Sequence, residues 1–300
     1  MVAVASMMIS AIVKKPSLKD PINKCDAEAV KKALDEGADA NETWTSFSAI
    51  GWASMQTNCE IMKVLIDKGA DVNYKSGIFG TALCKVVEDE SCEPSKRVEA
   101  NYKSLTAMLK HFKDTAELIE KGYWNKRYTD IKTYSPIVDR VKLLVASGVA
   151  VNAPNGSNSS TAFLAAVRLK KHEVVKALLA SGKADFESRE NQFKTNLGKI
   201  SDWGAAYKYE KGSRATVRDW SKLPSENNAL LDACENNDLD MVKILVEANA
   251  NVNCIKKAFT TSSMGEKNWL IGPLDIATSK KSAEMVDYLK SKGAERMNDQ

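Results

Sequence analysis

The chain has 300 residues, of which 44% are apolar and 27% charged, with 43 basic and 39 acidic side chains. This apolar content is enough to bury a core and excludes a disordered chain. A net charge of +4 is too small to indicate nucleic-acid binding by itself. The apolar stretch from Val2 to Val13 is short, contains two serines and precedes Lys14 and Lys15, so we expect neither a signal peptide nor a membrane span.

The cysteine and histidine content argues against a metal or redox centre. No two of the six cysteines have the two-residue spacing of a zinc site, and most of them lie inside helical patterns. A chain of this length buries a core without disulfides, so we expect reduced thiols, no cofactor and no metal. These features are typical of a cytoplasmic protein.

The sequence repeats one amphipathic helical pattern six times. Each copy ends in glycine, or once in asparagine, and these residues accept the left-handed backbone that closes a helix. A polar turn follows, such as Ala-Asp-Val-Asn73. The six copies lie at 27–37, 60–69, 139–148, 173–182, 240–249 and 284–293.

A second helix pattern precedes five of these copies, at 48–53, 81–86, 161–166, 228–233 and 272–277. Two helices with a turn between them and a polar finger behind them resemble the ankyrin repeat, whose units recur every ~33 residues. The stretch from Lys171 to Leu179 is similar to the inter-helix turn and second helix of that family. The resemblance implies an all-α, ankyrin-type helix-turn-helix solenoid with finger loops, in which His172 is a structural turn residue.

The resemblance is incomplete at the start of the first helices. The histidine of the family's Thr-Pro-Leu-His signature is replaced by Cys84, Leu164, Leu231 and Asp275. Since that histidine contributes hydrogen bonds between neighbouring first helices, we expect a less regular array than a consensus one.

The spacing between the closing residues predicts three insertions in a single domain that covers residues 1–300. Successive closing residues are 32, 79, 34, 67 and 44 positions apart. Relative to ~33 residues per repeat, three of these gaps are too long by about 46, 34 and 11 residues. The insertions fall at about 93–136, a helical pattern between the two helices of one repeat, at 187–223, and at 254–271, a longer finger.

The ends of the array and the second insertion need separate interpretation. Residues 187–223 are either an enlarged finger or one strongly diverged repeat, and their glycines and aromatic residues favour the finger. At the N-terminus, we expect residues 7–15 to form the first helix of the first unit, with 16–24 as an expanded turn. The first and last of about six units are expected to serve as caps.

The insertions carry the positive charge. Residues 95–140 have a net charge of +4 and residues 187–223 of +3, so the remaining chain has a net charge of −3. The second region also contains aromatic residues, which leaves single-stranded nucleic acid as an alternative and less favoured partner, because acidic residues at 202, 210 and 219 dilute the charge. Retention at low salt that falls steeply with added salt distinguishes this alternative.

The sequence contains no recognisable catalytic pattern. It has no dinucleotide fingerprint, no phosphate loop and no nucleophile elbow. Cys84 lies on a packed helix, and His111 lacks a predictable acidic partner, so neither is a candidate nucleophile or base. We therefore do not expect an enzyme, with a site that is not recognisable from sequence as the alternative.

A stacked array presents a long surface of fingers and first helices, which favours a protein-binding scaffold, adaptor or inhibitor. Aromatic and arginine residues dominate such interfaces, so the candidate residues are those on expected fingers and loops. Aromatic residues of an insertion also form small cores, which is an equal alternative for Trp203 and Trp220. The partner-binding candidates are Trp44, Tyr74, Phe79, Trp203, Tyr207, Tyr209, Arg214, Arg218, Trp220 and Trp269.

We expect a monomer whose protein partner the sequence does not identify. Irregular arrays with large insertions are similar to those of bacterial and viral proteins that engage host or toxin partners. Delivery into a host cytoplasm is therefore the alternative location.

Overall fold

The computed structural model describes residues 15–55, 59–77, 80–88, 137–155, 160–188, 207–208, 216–217, 227–262 and 265–297. The helices in these ranges are α1 (Lys19–Asn23), α2 (Ala27–Asp35), α3 (Ala49–Ser54), α4 (Cys59–Asp67), α5 (Ala82–Glu88), α6 (Ile137–Ala146), α7 (Ala162–Arg168), α8 (His172–Leu179), α9 (Ala229–Glu235), α10 (Leu239–Glu247), α11 (Pro273–Ser279) and α12 (Ala283–Ser291). The strands are β1 (Thr43–Trp44), β2 (Phe47–Ser48), β3 (Tyr207–Lys208), β4 (Thr216–Val217), β5 (Lys256–Ser262) and β6 (Gly265–Ile271).

The chain divides into two units, of which the first is Met1–Val149. Its helices pack in pairs, α1 with α2, α3 with α4, and α5 with α6. α3 contacts α1 and α5, and α4 contacts α2 and α6, so the pairs stack in sequence order. Apolar side chains of the stacked faces form the core, in which Ile22, Leu65 and Leu83 are fully buried.

The second unit, Ala150–Gln300, is built in the same way. Its pairs are α7 with α8, α9 with α10, and α11 with α12, and α9 contacts both α7 and α11. Leu164, Leu231 and Leu289 are among the fully buried side chains of its core. Each pair buries its apolar stripe against its neighbours, as repeat architectures require.

The contacts between pairs locate the two long insertions. α5 ends at Glu88 and α6 begins at Ile137, yet the two helices pack as one pair. α7 and α8 contact α9 and α10 directly, so no further helix pair is stacked between them in the described part of the chain. This direct contact favours an enlarged finger over a diverged repeat at 187–223. Most of 187–223 and all of 93–136, including its expected helix, lie outside the described residues.

The expectation of a helical, ankyrin-like fold is confirmed, but a purely α-helical description is too narrow. Within the described ranges, three fingers form two-stranded antiparallel hairpins. β1 with β2 and β3 with β4 have two residue pairs each, whereas β5 with β6 has seven. The longest hairpin lies at the expected longer finger, 254–271.

The expected turn at 16–24 is wrong, because α1 occupies part of it and pairs with α2. Pro21 lies in the first turn of α1, where the missing N–H breaks no helical hydrogen bond. Leu18 and Ile22 are fully buried, so burial stabilises a short helix that contains a proline. The expected helix at 7–15 lies outside the described residues except for Lys15, which is not helical.

Left-handed residues close the second helix of all six described pairs, which confirms the interpretation of the closing positions. Asn249 takes this conformation with φ of 72° in place of glycine. The N–H of Ala250 then donates to the carbonyl of Leu245 at 3.0 Å, so a carbonyl that the helix leaves open has a partner. The five glycines with positive φ at this position are Gly37, Gly69, Gly148, Gly182 and Gly293.

A second left-handed position recurs in the turn between the helices of a pair. It lies directly before the N-cap of the second helix and is occupied by residues other than glycine. These residues are Cys25, Lys170, Asn237 and Lys281, with φ between 51° and 57°. Side chains with a Cβ pay a conformational cost in this region.

The first helices, which lack the signature histidine, begin with polar side chains that accept from backbone N–H groups. The N–H of Leu164 donates to Thr161 Oγ1 at 3.2 Å, and the N–H of Leu231 donates to Asn228 Oδ1 at 3.0 Å. Asp275 Oδ2 accepts from the N–H groups of Gly272 and Met297, both at 3.0 Å. Only a group with two acceptor sites ties the start of α11 to the segment behind α12 in this way.

Asparagines four residues behind the closing position connect each finger to the next pair. Asn253 Nδ2 donates to the carbonyl of Gly293 at 3.1 Å, and its Oδ1 accepts from the N–H of Glu295 at 2.9 Å. Asn41 and Asn152 form the equivalent two bonds, with the segments 69–71 and 183–185. Each link joins a finger to backbone about one repeat further along, or across a longer gap.

A buried arginine links two pairs of the first unit. Arg140 on α6 is fully buried, and its Nη1 donates to the carbonyl of Ser54, the last residue of α3, at 3.1 Å. The last carbonyls of a helix lack intrahelical partners and carry partial negative charge. The guanidinium therefore satisfies a helix end that would otherwise be buried without a donor.

Replacement of Lys281 by glycine is expected to stabilise the second unit by about 0.5 kcal/mol. The left-handed conformation costs a residue with a Cβ ~1 kcal/mol, and the greater freedom of glycine in the unfolded chain cancels about half of that gain. The matched control is Lys290→Gly, which is expected to destabilise by about 1 kcal/mol because Lys290 lies exposed within α12. Urea unfolding followed by circular dichroism measures both, and an equal loss of stability at the two positions would contradict this account.

Asn253→Ala is expected to destabilise the second unit by about 1–3 kcal/mol, because it removes a donor and an acceptor that both have backbone partners. Amide hydrogen exchange of the segment around Glu295 should become faster. Glu284→Ala, at an exposed position at the start of α12, is the control and should change stability by less than about 0.5 kcal/mol. If both variants unfold at the same urea concentration, the asparagine link does not hold the last finger.

Candidate partner-binding surface

Two tryptophans form a stacked, partly exposed pair in the first unit. Trp44 lies on β1 and Trp52 on α3, with ring centroids 5.9 Å apart and an angle of 5° between the planes. Trp52 Nε1 donates to the carbonyl of Trp44 at 3.1 Å. Since the only donor of that indole is used inside the protein, a partner meets its ring face and edge instead.

Phe47 packs against the Trp52 ring and holds this pair in place. It lies opposite Trp44 in the hairpin, is 1% exposed, and meets the Trp52 ring at 67° with centroids 5.8 Å apart. Gly51 on α3 gives the phenyl ring room, because a Cβ at that position would lie 2.4 Å from it. Aromatic side chains fixed in this way lose little conformational freedom when they bind a partner.

The turn of the same hairpin is conformationally strained. Thr45 and Ser46 connect Trp44 to Phe47 and have φ of 54° and 63°. A two-residue turn with two positive φ angles favours Asn-Gly, and positive φ is an outlier for a β-branched residue such as threonine. Each of the two residues costs about 1–3 kcal/mol, so the first finger keeps an unfavourable turn that places Trp44 against Trp52.

The ten candidate residues do not come together in one described site. Trp44 and Tyr74 are both partly exposed in the first unit, whereas Trp269 is partly exposed in the second, on β6 opposite Ala258. Of Tyr207, only the backbone in β3 is described. The six candidates that lie outside the described residues are Phe79, Trp203, Tyr209, Arg214, Arg218 and Trp220.

Trp52 is not among the partner-binding candidates predicted from the sequence, because it lies in a first helix and not on a finger. Ile50 and Ala53 of the same helix are buried, whereas Trp52 is only partly buried. The helical period places Trp52 at the border of the buried face, and a large aromatic residue at such a border was the available signal. Its stacking partner across the finger was not visible in the pattern.

The longest finger has a base that is fixed to the helices of the second unit. Ile255 and Leu270 are buried there, with exposures of 5% and 4%. Lys256 Nζ and Lys280 Nζ each lie 3.3 Å from a carboxylate oxygen of Glu235. Seven residue pairs at ~3.3 Å per residue give this hairpin a length of about 20 Å.

Three polar links join α7 and α8 to the next pair and give His172 a structural role. Arg168 Nε lies 2.6 Å from Asp232 Oδ2, and Lys170 Nζ donates to the carbonyl of Asn236 at 3.2 Å. His172 Nε2 lies 2.9 Å from Asp238 Oδ2. Asp238 is also the N-cap of α10, so its carboxylate fixes both the start of that helix and the neighbouring turn.

Buried thiols in both units are poor nucleophiles. Burial raises the pKa of the Cys84 thiol, although hydrogen bonds with Thr81 oppose the shift. Burial, with a smaller contribution from Cys254, raises the pKa of Cys234 far above its ordinary value. A thiol with a raised pKa is protonated at neutral pH and reacts slowly.

Comparison with known families identifies one repeat directly. The sequence model of the ankyrin repeat family matches residues 225–257, which contain α9, α10 and the start of the long finger. No curated protein sequence matches the chain. In the described ranges, no group of three or more histidine, cysteine or acidic side chains could hold a metal ion, and no helix is long and apolar enough to cross a membrane.

Iodoacetamide at pH 8 is expected to modify Cys25 in the folded chain and to leave Cys84 and Cys234 unmodified. Cys25 is partly exposed, whereas burial excludes the reagent from the other two and keeps their thiols protonated. Peptide mapping by mass spectrometry separates the sites, and all of them should react in urea. Rapid modification of Cys84 or Cys234 without denaturant would show that the stacked helices open more easily than their burial indicates.

Proposed function

We propose that this chain, which carries an ankyrin repeat at residues 225–257, binds a protein partner as a scaffold, adaptor or inhibitor and has no catalytic activity of its own. Ankyrin repeats are general protein-protein interaction modules. The observation that carries the proposal is the stacked pair of Trp44 and Trp52 on a finger and a first helix. Preorganised tryptophans of this kind are the residue type most enriched among interface hot spots.

The charge around the tryptophan pair supports a protein rather than a nucleic acid as partner. The first finger, residues 38–48, contains Asp39 and Glu42 and no lysine or arginine. Phosphate groups would be repelled from this surface, since nucleic-acid binding depends on neutralisation of phosphates by basic side chains. The proposed protein binding does not depend on the basic insertions, and no nucleic acid is proposed to bind to them.

We propose that the chain folds as an ankyrin-type solenoid. We also propose that it is a monomer and acts in a cytoplasm. The sequential stacking of helix pairs within each unit supports the solenoid. Cys84 and Cys234 are buried and form no disulfide, which is the state expected in a reducing compartment.

Affinity capture from native lysate with the full chain tests the proposal. We expect the wild-type chain to retain a specific protein and Trp44→Ala to retain at least tenfold less of it, because truncation of a hot-spot tryptophan costs about 2 kcal/mol or more. Leu169→Ala is the matched control, since Leu169 is 42% exposed and its truncation also removes an apolar surface side chain.

The outcomes separate the function from the location of the surface. Recovery of a partner that Trp44→Ala and wild type retain equally would place the binding surface elsewhere. A wild-type chain that retains no protein above the level of a denatured control, or equal losses with Leu169→Ala and Trp44→Ala, would overturn the proposal.

A further inference from the structure

We propose that the stacked pair of Trp44 and Trp52, together with the carboxylates of the first finger, binds an arginine side chain in an extended segment of the partner. This inference rests on the proposed function and names the chemistry of the partner at the same surface. It follows from the ring faces that are open, the donor that is already used, and the charge of the finger.

The ring faces of Trp44 and Trp52 favour a cation. Apart from each other and from Phe47, the two indoles make no ring or cation contact within the part of the chain that the structure describes. Both side chains are partly exposed. An electron-rich indole face attracts a cation more strongly than any other side-chain ring does. The pair therefore offers a cation-binding surface that the described chain itself does not occupy.

The hydrogen bonding of the Trp52 indole favours a partner group that needs no donor from it. The indole N–H of Trp52 donates to the Trp44 carbonyl, so that ring offers a partner no donor. A partner group that needs a donor, such as a carboxylate or a phosphate, gains nothing from it. A guanidinium needs acceptors and flat aromatic faces, and both are present on this finger.

The charge of the first finger favours a cationic partner group. Asp39 is exposed and lies in the same turn as Glu42, whose N–H donates to the Asp39 carbonyl at 2.9 Å. Glu42 accepts hydrogen bonds from Ser17 Oγ and the N–H of Leu18, which fix its carboxylate without neutralising it. α3, which carries Trp52, contains no charged residue. The finger that carries Trp44 is thus negative, which favours a cationic side chain over an apolar or acidic one.

Arginine fits this surface better than lysine does. Its guanidinium is planar, stacks on an aromatic face and still directs N–H groups sideways to carboxylates. A lysine ammonium is a strongly hydrated point charge that cannot stack. A proline-rich segment would use the ring faces but would gain nothing from Asp39 and Glu42.

Fluorescence anisotropy with labelled peptides tests the inference on the full chain. The probes are the peptide Gly-Arg-Gly-Arg-Gly and its versions with lysine or proline in place of both arginines. We expect the arginine peptide to bind at least threefold more tightly than the other two. Trp44→Ala should weaken its binding three- to tenfold, the range of a cation-π contact at a partly exposed site.

Two variants serve as controls. Leu169→Ala removes an exposed apolar side chain of the other unit and should leave the binding of the arginine peptide unchanged. The double variant Thr45→Asn with Ser46→Gly relaxes the turn but keeps both tryptophans, and should bind at least as tightly as wild type. Circular dichroism establishes that each variant is folded.

Equal binding of the arginine and lysine peptides, tighter binding of the proline peptide, unchanged binding by Trp44→Ala, or no binding of any peptide at millimolar concentration would each overturn the inference. The proposed function fails differently, through the absence of a captured protein. A partner that is captured by wild type while the peptides show no preference for arginine would leave the function intact and remove only this inference.

Discussion

The asparagine near the start of most fingers is the constraint on which the stacking of the helix pairs depends. Its amide donates to one backbone carbonyl and accepts from one backbone N–H, as Asn41, Asn152 and Asn253 do. A side chain with both functions fixes direction as well as distance. Glu187 occupies the corresponding place before the second long insertion, and a carboxylate can only accept. There the carboxylate accepts from a different group, Asn228 Nδ2 on the N-cap residue of α9, at 3.1 Å.

This dependence on neighbours explains why long insertions do not disturb the stack. Among the described helices, each pair packs against the pairs beside it, so a connection of any length is tolerated if its two ends lie close together. Asn73 Nδ2 still donates to the carbonyl of Gly148 across the first long gap, at 3.3 Å. The buried Arg140 adds a second tie over a similar sequence distance, through the end of α3. A long insertion is therefore tolerated both between the two helices of a pair and at a finger.

Features that depend on local backbone chemistry could be predicted from the sequence, and features that depend on contacts across elements could not. The closing positions, including Asn249, followed from the few residues that tolerate left-handed backbone. α1 was missed because Pro21 suggests a turn unless one knows that Leu18 and Ile22 are buried against a neighbouring helix. The tryptophan pair was half found, since Trp44 lies on a finger, whereas its contact with Trp52 is a tertiary arrangement that no periodicity encodes.

Strained residues of the described ranges either recur with the repeat or lie in the first finger. Cys25, Lys170 and Lys281 share one place in the turn between paired helices, so their positive φ angles belong to the geometry of the repeat and recur with it. Thr45 and Ser46 have no counterpart in the other fingers of the described ranges. Strain that recurs is imposed by the fold, but strain at a single finger is removable by substitution without any change to the stack. Asn-Gly is the pair that such a two-residue turn favours, so Thr45→Asn with Ser46→Gly should remove the strain and keep Trp44 against Trp52.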